Sequence, residues 1–377
     1  MKIALHNIHL LPNLQFHSYV YDLLLEKRVQ VLFFSDPTGF SYIQAFYRYF
    51  KYDNFRSKLN KIDWSSFELV FTAKELNCKA DVLLNLNLMC FDRLDSEFSN
   101  SVKKFDGLKI FHIGDYFGYR PASITNKMLE GVGVNYLLGY SMHDRYCNYF
   151  SNYFPEFNNR VWTLPFGYAP RFEVNKPFNL RLNKSIAVGS VNPLRPLNDK
   201  LESFIEPANF FPDESWFHIF RRKLILNKRY LLNEMDSMLP EFPQIKDFKY
   251  DLPSKFNDYK MFVACESIFN FPPAKYYEGI ACGSVLFCSD HECNKEIDLI
   301  DGYNCVMFRQ NDFLDFQDKV KFYQTNPEKL NEISNNGLNF VSTNYSHNNV
   351  INLLIDSISL MYKGRGNLDA IPLKNRI

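Results

Sequence analysis

The chain is organised around one stretch in which two short apolar runs flank a helix-like segment. The first run is Met261–Cys265 and the second is Ser284–Cys288, and each has the length of a buried strand. Between them, Ala274–Cys282 follows two prolines, which suit the first turn of a helix, and precedes Gly283, which suits its end. The pattern predicts a strand–helix–strand unit with parallel strands.

The amino end of this predicted helix has the chemistry of an anion-binding site. It would lie at the carboxyl ends of the strands, where open α/β sheets bind ligands, and its N–H groups favour negative charge. Lys275 and Glu278 are three residues apart, so they share a face. Lys275 would contact a phosphate, and the Glu278 carboxylate would accept hydrogen bonds from two ribose hydroxyls. The alternative is a solvated Lys–Glu pair on a surface helix.

The stretch resembles the donor-binding half of GT-B glycosyltransferases, most closely the CgeB-like, "glycosyl transferases group 1" type. That family has a proline-and-lysine lead-in, a tyrosine–glutamate pair, a small residue, Cys-Gly or Ala-Gly, and an apolar strand. The matching residues here are Pro273, Lys275, Tyr277, Glu278, Ala281, Cys282 and Gly283. Further matches follow at residues 299–306, 326–328 and 336–337.

This resemblance implies an α/β fold of the GT-B kind, with two Rossmann-like domains facing an interdomain cleft. It also implies that Ala274, Lys275, Tyr277 and Glu278 contact the donor nucleotide. The chain departs from the family at one place, because many relatives carry a first glutamate eight positions before the second. This chain has Asn270 there, which puts a carboxylate contact to the donor sugar in question.

The first half of the chain also alternates strand-length apolar runs with helical segments. Strands are predicted at Lys2–Leu5, Val29–Ser35, Ala80–Leu86 and Leu108–Ile113, with a helix over Phe16–Lys27 after the first. This βαβ opening is Rossmann-like. It lacks the G-x-G-x-x-G fingerprint, which argues against a nicotinamide or flavin site.

Later segments complete the predicted element list. A helix over Thr125–Glu130 precedes a strand at Asn135–Gly139, and Ser141 is predicted to cap a further helix. The last helix is predicted over Phe340–Tyr362. In GT-B enzymes the final helix crosses back onto the first domain, and the resemblance implies the same here.

Several histidines and one aspartate are the candidate functional residues of the first half. His6, His9 and His17 crowd together and would line an acceptor cleft; the alternatives are a zinc site, for which no spacing matches, and ordinary packing or surface histidines. His112 and Asp115 lie at the carboxyl end of a predicted strand, where a catalytic base would sit. The alternative is that Asp115 caps a turn and His112 is buried structure. In retaining relatives a histidine touches the donor sugar, and Gly114 occupies its position here.

A second group of candidate donor contacts follows the junction between the halves. Residues 161–168 resemble the strand and turn that close the first GT-B domain, and Ala169–Lys184 is predicted to be the linker. A strand at Ser185–Val188 then leads to three residues that relatives use at the diphosphate: Gly189, Ser190 and Arg195. Glycine allows close backbone approach, and arginine can bind a diphosphate with two hydrogen bonds. The alternative is a plain turn with a surface arginine.

The predicted domains are an acceptor domain over 1–175, a donor domain over 176–355, and the end of the crossing helix with a tail over 356–377. A length of 377 residues suits two such domains. A net charge of +1 does not indicate nucleic-acid binding. The eight cysteines contain no C-x-x-C pair, and we expect them to be reduced.

Membrane contact is expected to be peripheral, if it occurs. No apolar run reaches the length of a membrane span, and we expect a cytoplasmic protein, with the inner face of the membrane as the alternative site. The segment Trp216–Leu239 has apolar residues at helical spacing beside a basic run, Arg221–Arg229. A solvated helix face is the first interpretation of that run, and contact with anionic lipid or a lipid-diphosphate acceptor is the second.

The resemblance implies transfer of a sugar from a nucleotide-diphosphate sugar to a glycan or lipid-linked glycan acceptor, in bacterial surface glycan synthesis. No cofactor and no metal ion are expected, because cations and a helix end would stabilise the leaving diphosphate. Two alternatives are a GT-B-shaped sugar-nucleotide epimerase and a non-catalytic partner subunit. The sequence leaves the donor, acceptor, stereochemistry and oligomeric state open.

Overall fold

The computed structural model describes residues 1–6, 19–34, 67–85, 96–114, 122–147, 150–188, 235–238, 252–264, 266–267, 270–310 and 312–364. These residues form two compact units. The first unit comprises the described residues up to Pro165 together with His347–Gly364, and the second comprises those from Phe166 to Ser346. The predicted domain boundaries at 175/176 and 355/356 stay predictions; the units divide about ten residues before each of them.

The first unit is built on a seven-stranded, fully parallel sheet in the order β3-β2-β1-β4-β5-β6-β7. Its strands are β1 Lys2–His6, β2 Gln30–Phe34, β3 Glu68–Val70, β4 Val82–Asn85, β5 Leu108–His112, β6 Tyr136–Gly139 and β7 Val161–Thr163. Its helices are Tyr19–Leu25, Ala73–Lys79, Ser96–Lys103, Ala122–Val132, His143–Tyr146, Phe150–Tyr153 and His347–Gly364, with a 3₁₀ turn at Pro155–Phe157. Crossover helices between parallel strands make this unit Rossmann-like, as predicted.

One face of this sheet carries the main core of the first unit. The strands contribute alternate residues such as Ile3, Leu5 and Val82, and the helices Tyr19–Leu25 and His347–Gly364 pack on them. The last helix of the chain therefore completes the core of the first unit, which confirms the expectation that it returns to the first domain.

The second unit is built on a five-stranded parallel sheet in the order β12-β11-β10-β8-β9. Its strands are β8 Leu182–Val188, β9 Met235–Met238, β10 Tyr259–Val263, β11 Val285–Ser289 and β12 Val306–Phe308. Its helices are Leu252–Asp258, Ala274–Ala281, Glu292–Glu296, Phe313–Thr325 and Pro327–Asn344, with a 3₁₀ turn at Phe178–Leu180. The predicted strand–helix–strand unit is present with parallel strands.

Two glycines fit the central helix of this unit to its surroundings. Gly279 faces β10, and an added Cβ there would lie 2.4 Å from the Phe262 ring, so only glycine allows the helix to approach the strand this closely. Gly283 has a φ of 74° and follows the C-cap residue Cys282, as the sequence predicted for the end of the helix.

The predicted last helix over Phe340–Tyr362 is wrong in one respect, because it is two helices. Pro327–Asn344 ends at Tyr345, and His347–Gly364 begins two residues later. The carbonyl of Tyr345 accepts a hydrogen bond from the backbone N–H of Tyr168 at 3.0 Å, and Ser346 forms a bridge to the same residue. A tertiary contact therefore interrupts a segment whose apolar periodicity is continuous.

Three smaller predictions are also corrected. The N-cap of helix His143–Tyr146 is Met142 and not Ser141, whose buried hydroxyl makes no hydrogen bond among the described residues. The end of the segment predicted to be helical, Met235–Met238, is a strand paired with β8. The predicted linker packs on the second unit, where Phe172 is buried beside Phe256.

Candidate functional site

The amino end of helix Ala274–Ala281 lies at the carboxyl edge of the second sheet, because the helix follows β10 and precedes the parallel strand β11. Its N-cap residue is Pro273, which makes no side-chain capping hydrogen bond. The apolar residues Tyr276, Tyr277 and Ile280 are buried and fix the helix on the sheet. A proline N-cap has no side-chain acceptor for the first-turn N–H groups, and a helix end of this kind suits an anion.

Lys275 and Glu278 lie one turn apart on this helix, and both are partly exposed. Burial raises the pKa of the Glu278 carboxyl to about 7, while the nearby Arg171 and Lys275 act in the opposite direction. Glu278 therefore changes its charge near neutral pH. Its ionised form accepts hydrogen bonds only, and that form is the one that could bind two ribose hydroxyls.

Arg171 is a member of this charge cluster that the sequence did not indicate. It is exposed, lies over the ring of the adjacent Phe172 at 4.7 Å, and acts electrostatically on Glu278. The sequence could not predict this contact, because Arg171 lies in the segment predicted to be a linker and is far from Glu278 in the chain.

Tyr277 lies inside the second unit. Its ring centroid is 4.9 Å from that of Tyr345, and the side chain is 1% exposed. Burial raises the pKa of the Tyr277 phenol well above its usual value. The hydroxyl makes no hydrogen bond among the described residues. These contacts support a packing role, and the predicted donor contact of Tyr277 stays a prediction.

A buried glutamate also lies at the carboxyl edge of the second sheet. Glu266 follows β10, is 2% exposed, and accepts hydrogen bonds from the hydroxyl of Ser289 and from Nε2 of Gln310, the latter at 3.0 Å. It thereby ties together the ends of β10, β11 and β12. Asn270, the position where relatives carry an acid, has a left-handed φ of 58°.

The other predicted donor contacts fall outside the described residues. Gly189, Ser190 and Arg195 belong to this group, and β8 ends at Val188, directly before them. β8 and β10 are parallel neighbours, so β8 ends at the edge of the sheet at which helix Ala274–Ala281 begins. The predicted roles of these three residues stay predictions.

The first unit places His112 at the carboxyl end of β5, where it is buried. Its ring centroid is 4.7 Å from that of Tyr140, and Gly114 lies beside the same tyrosine. Asp115 lies outside the described residues. His6 ends β1 and is 2.8 Å from the side chain of Asn85, which ends β4, while His9 and His17 lie outside the described residues.

Comparisons with known proteins agree with this geometry. Residues 246–356 match the family model described as glycosyl transferase-like. No curated protein matches the chain in sequence. Among solved structures, HepE of Anabaena in complex with UDP and glucose matches with a TM-score of 0.55 at 9% identity, covering 95% of this chain and 99% of that chain.

Two further structures match over the same extent. Sucrose-phosphate synthase from Thermosynechococcus elongatus has a TM-score of 0.53 at 11% identity and covers 97% of this chain and 100% of that one. A glycosyltransferase from Rickettsia africae has a TM-score of 0.54 at 11% identity and covers 96% and 98%. The chain has the GT-B fold. The resemblance drawn from the sequence is confirmed.

The sequence match and the structural matches support this GT-B assignment in different ways. The family match lies in the half that carries helix Ala274–Ala281, whereas the structural matches extend over both halves. Within the described residues, no helix is long and apolar enough to cross a membrane. The same residues contain no group of three His, Cys, Asp or Glu side chains that could hold a metal ion.

Proposed function

We propose that this chain transfers a sugar from a nucleotide-diphosphate sugar to an acceptor hydroxyl, in the synthesis of a bacterial surface glycan. The observation that carries the proposal is the amino end of helix Ala274–Ala281. It lies at the carboxyl edge of a parallel sheet, its N-cap Pro273 provides no side-chain cap, and Lys275 and Glu278 lie on its first two turns.

The hard part of such a transfer is the negative charge that develops on the leaving diphosphate. Preorganised donors and cations aimed at that charge are usually the largest catalytic contribution. In our proposal the helix N–H groups near Ala274 and the Lys275 ammonium supply them, together with Arg195. Glu278 holds the ribose, and its carboxylate form is favoured by Arg171 and Lys275.

The acceptor side belongs to the first unit in this proposal. Asp115 or His112 takes the proton of the acceptor hydroxyl if the configuration of the sugar is inverted. If the configuration is retained, the leaving phosphate takes the proton and Asp115 orients the acceptor. We propose that no protein-bound metal ion takes part, so transfer should continue at the same rate in the presence of EDTA.

The nature of the donor is proposed from the neighbours. HepE was solved with UDP, with UDP-glucose, and with UDP and glucose. We propose that a UDP-sugar, and specifically a UDP-hexose or UDP-deoxyhexose, is the donor of this chain as well. The acceptor is proposed to be a glycan or a lipid-linked glycan.

A thermal-shift screen tests the proposal directly. We expect UDP, GDP or dTDP, or one of their sugar derivatives, to raise the melting temperature by about 5 °C at saturation, since a ligand that binds only the folded chain stabilises it. The matching nucleosides, which lack the phosphates, are the control and should have no effect. A chain that none of the nucleotides stabilises would be a GT-B protein without donor binding.

Product analysis then separates transferase from epimerase. The nucleotide sugar that stabilises the chain most is incubated alone and with free sugars as acceptors. A transferred sugar, with release of the nucleoside diphosphate, supports our proposal. An epimerised nucleotide sugar in the absence of acceptor contradicts it.

A further inference from the structure

Large apolar side chains are exposed together at the amino edge of the second sheet, opposite the edge at which helix Ala274–Ala281 begins. They come from three segments that meet there, and we call them the apolar end surface: Leu180, Leu182, Ile300, Tyr303 and Phe322. Each of them is between 46% and 64% exposed. Half of the ten large apolar side chains that are exposed in the described part of the chain therefore lie at this one edge.

The directions of the strands place all three segments at the amino edge. The 3₁₀ turn Phe178–Leu180 leads into β8, and residues 300–303 lead into β12, so both segments precede the start of a strand. Helix Phe313–Thr325 follows the end of β12, packs on both β12 and β8, and returns toward their starts. The last part of this helix carries Phe322, which therefore lies at the same edge.

Polar contacts hold the three segments against one another. The side chain of Asn183 donates a hydrogen bond to the carbonyl of Gln324 at 2.9 Å, and the side chain of Gln324 donates one to the carbonyl of Asn183 at 2.9 Å. Nζ of Lys319 lies 3.7 Å from the Asp301 carboxylate. Helix Phe313–Thr325 is thus tied to the start of β8 and to the turn before β12.

The area of the apolar end surface is that of a protein–protein contact. With about 200 Å² for each fully exposed side chain of this size, the exposed fractions give on the order of 500 Å². A standard interface takes about 800 Å² from each partner, and about 60% of it is apolar. The surface therefore supplies the apolar share of one side of such an interface.

The charges beside this surface fit a second copy of the chain better than a lipid bilayer. Acidic and basic side chains lie there next to one another: Asp258 with Lys176 at 3.2 Å, Asp301 with Lys319 at 3.7 Å, and the exposed neighbours Glu328 and Lys329. An anionic bilayer favours surfaces with an excess of Lys and Arg. A surface that carries both signs can instead be complementary to itself across a twofold axis.

We propose that the apolar end surface is a dimer interface, at which two copies of this chain pack these side chains against one another across a twofold axis. The surface lies at the edge of the second sheet opposite the proposed donor site. Dimer formation therefore leaves the amino end of helix Ala274–Ala281 uncovered in both copies. This inference does not depend on the transferase function, because it rests on the exposed surface alone.

Sedimentation equilibrium on the full chain measures the association. We expect wild type to be dimeric at about 20 μM and to dissociate on dilution. Tyr303→Ser/Phe322→Ser should raise the dissociation constant of the dimer at least about 100-fold, because each dimer loses four large apolar side chains from its interface. A wild type that is still monomeric at about 200 μM overturns the proposal, and so does a dimer that the two substitutions leave unchanged.

Leu314→Ser/Leu360→Ser is the matched control. These leucines are 69% and 40% exposed, but Leu314 lies at the other end of the helix that carries Phe322, and Leu360 lies in helix His347–Gly364 of the first unit. This variant should dimerise as wild type does. If it dissociates as readily as Tyr303→Ser/Phe322→Ser, the interface lies elsewhere and the proposal is wrong.

A further variant separates a lost interface from a lost fold. Leu180→Ser changes the segment before β8, and it should weaken the dimer while circular dichroism and the melting temperature of the monomer stay those of wild type. If Leu180→Ser and Tyr303→Ser/Phe322→Ser lower dimer content only in proportion to unfolded protein, the surface is not an interface.

Flotation with vesicles of phosphatidylcholine and phosphatidylglycerol tests the bilayer as the partner. We expect wild type to stay in the unbound fraction. Vesicle binding that Tyr303→Ser/Phe322→Ser abolishes assigns the surface to a membrane and overturns the dimer. If wild type dimerises through this surface but binds no nucleotide, only the transferase function proposed above is wrong.

Discussion

Glu278 is the residue whose ionisation best separates a ligand contact from a surface ion pair. The pKa of its carboxyl is raised from 4.5 to about 7 by burial, against Arg171 and Lys275. The unfolded chain loses this proton at lower pH than the folded chain does. The protonated carboxyl therefore contributes stability that is fully present below about pH 4.5 and is lost as the pH rises toward 7.

A pH titration of stability follows from this shift. Relative to Glu278→Gln, which cannot ionise, wild type should lose about 2 kcal/mol of unfolding free energy between pH 4.5 and 7.5. Urea unfolding of both proteins at several pH values measures the difference. Arg171→Gln removes a cation that lowers the pKa of Glu278, so the loss of stability should extend to higher pH than in wild type. If the unfolding free energies of wild type and Glu278→Gln changed with pH in parallel, the raised pKa of Glu278 would be contradicted.

At the same scale, the sequence identified residue types better than residue partners. Lys275 and Glu278 were found because their spacing on one helix is visible in the sequence. His6 and Asn85 are 79 residues apart, and only the parallel pairing of β1 and β4 brings them together. Arg171 and Glu266 were missed for the same reason, since nothing local connects either with its neighbours.

At the scale of elements, the position of helix Ala274–Ala281 depends on Gly279. An added Cβ there would lie 2.4 Å from Phe262, so Gly279→Ala must move the helix away from β10. We expect a loss of about 1–3 kcal/mol in unfolding free energy, as for other overpacked sites, together with weaker nucleotide binding. Urea unfolding and calorimetry measure the two effects.

Gly131→Ala is the matched control for that substitution. Gly131 also lies in a helix, Ala122–Val132, and an added Cβ there would meet nothing within 4 Å. It should leave nucleotide affinity unchanged and stabilise the chain by up to about 1 kcal/mol. If Gly279→Ala left both nucleotide affinity and stability as Gly131→Ala does, the close packing of helix Ala274–Ala281 on β10 would not determine the position of the binding site.

Elements were predictable where local patterns alone determine them. The strands flanking helix Ala274–Ala281 were found to within about two residues because apolar runs, prolines and a glycine mark them. The break at Tyr345 was not, because the periodicity of the segment continues through it. At this break the backbone N–H of Tyr168 donates a hydrogen bond to the carbonyl of Tyr345, and Tyr168 is far from Tyr345 in the sequence.

At the scale of the whole molecule, two parallel sheets and the GT-B fold were predictable, and the family match covers the half with the clearest motifs. The first half was assigned to the same fold by its alternation of strands and helices, with few diagnostic residues. Fold similarity at 9–11% identity supports the architecture, while substrate choice depends on individual side chains.

The central claim is that the amino end of helix Ala274–Ala281, with Lys275 and Glu278, binds a nucleoside diphosphate. Titration calorimetry with UDP at pH 8 tests it on wild type, Lys275→Gln and Glu278→Gln. Lys329→Gln and Glu332→Gln are matched controls, because these residues form an exposed Lys–Glu pair with the same spacing on another helix of the second unit.

We predict that wild type and both controls bind UDP equally well, and that Lys275→Gln and Glu278→Gln each weaken binding by about 1–3 kcal/mol, the usual loss for hydrogen bonds to a charged group. Equal UDP affinity in all five proteins would contradict the account.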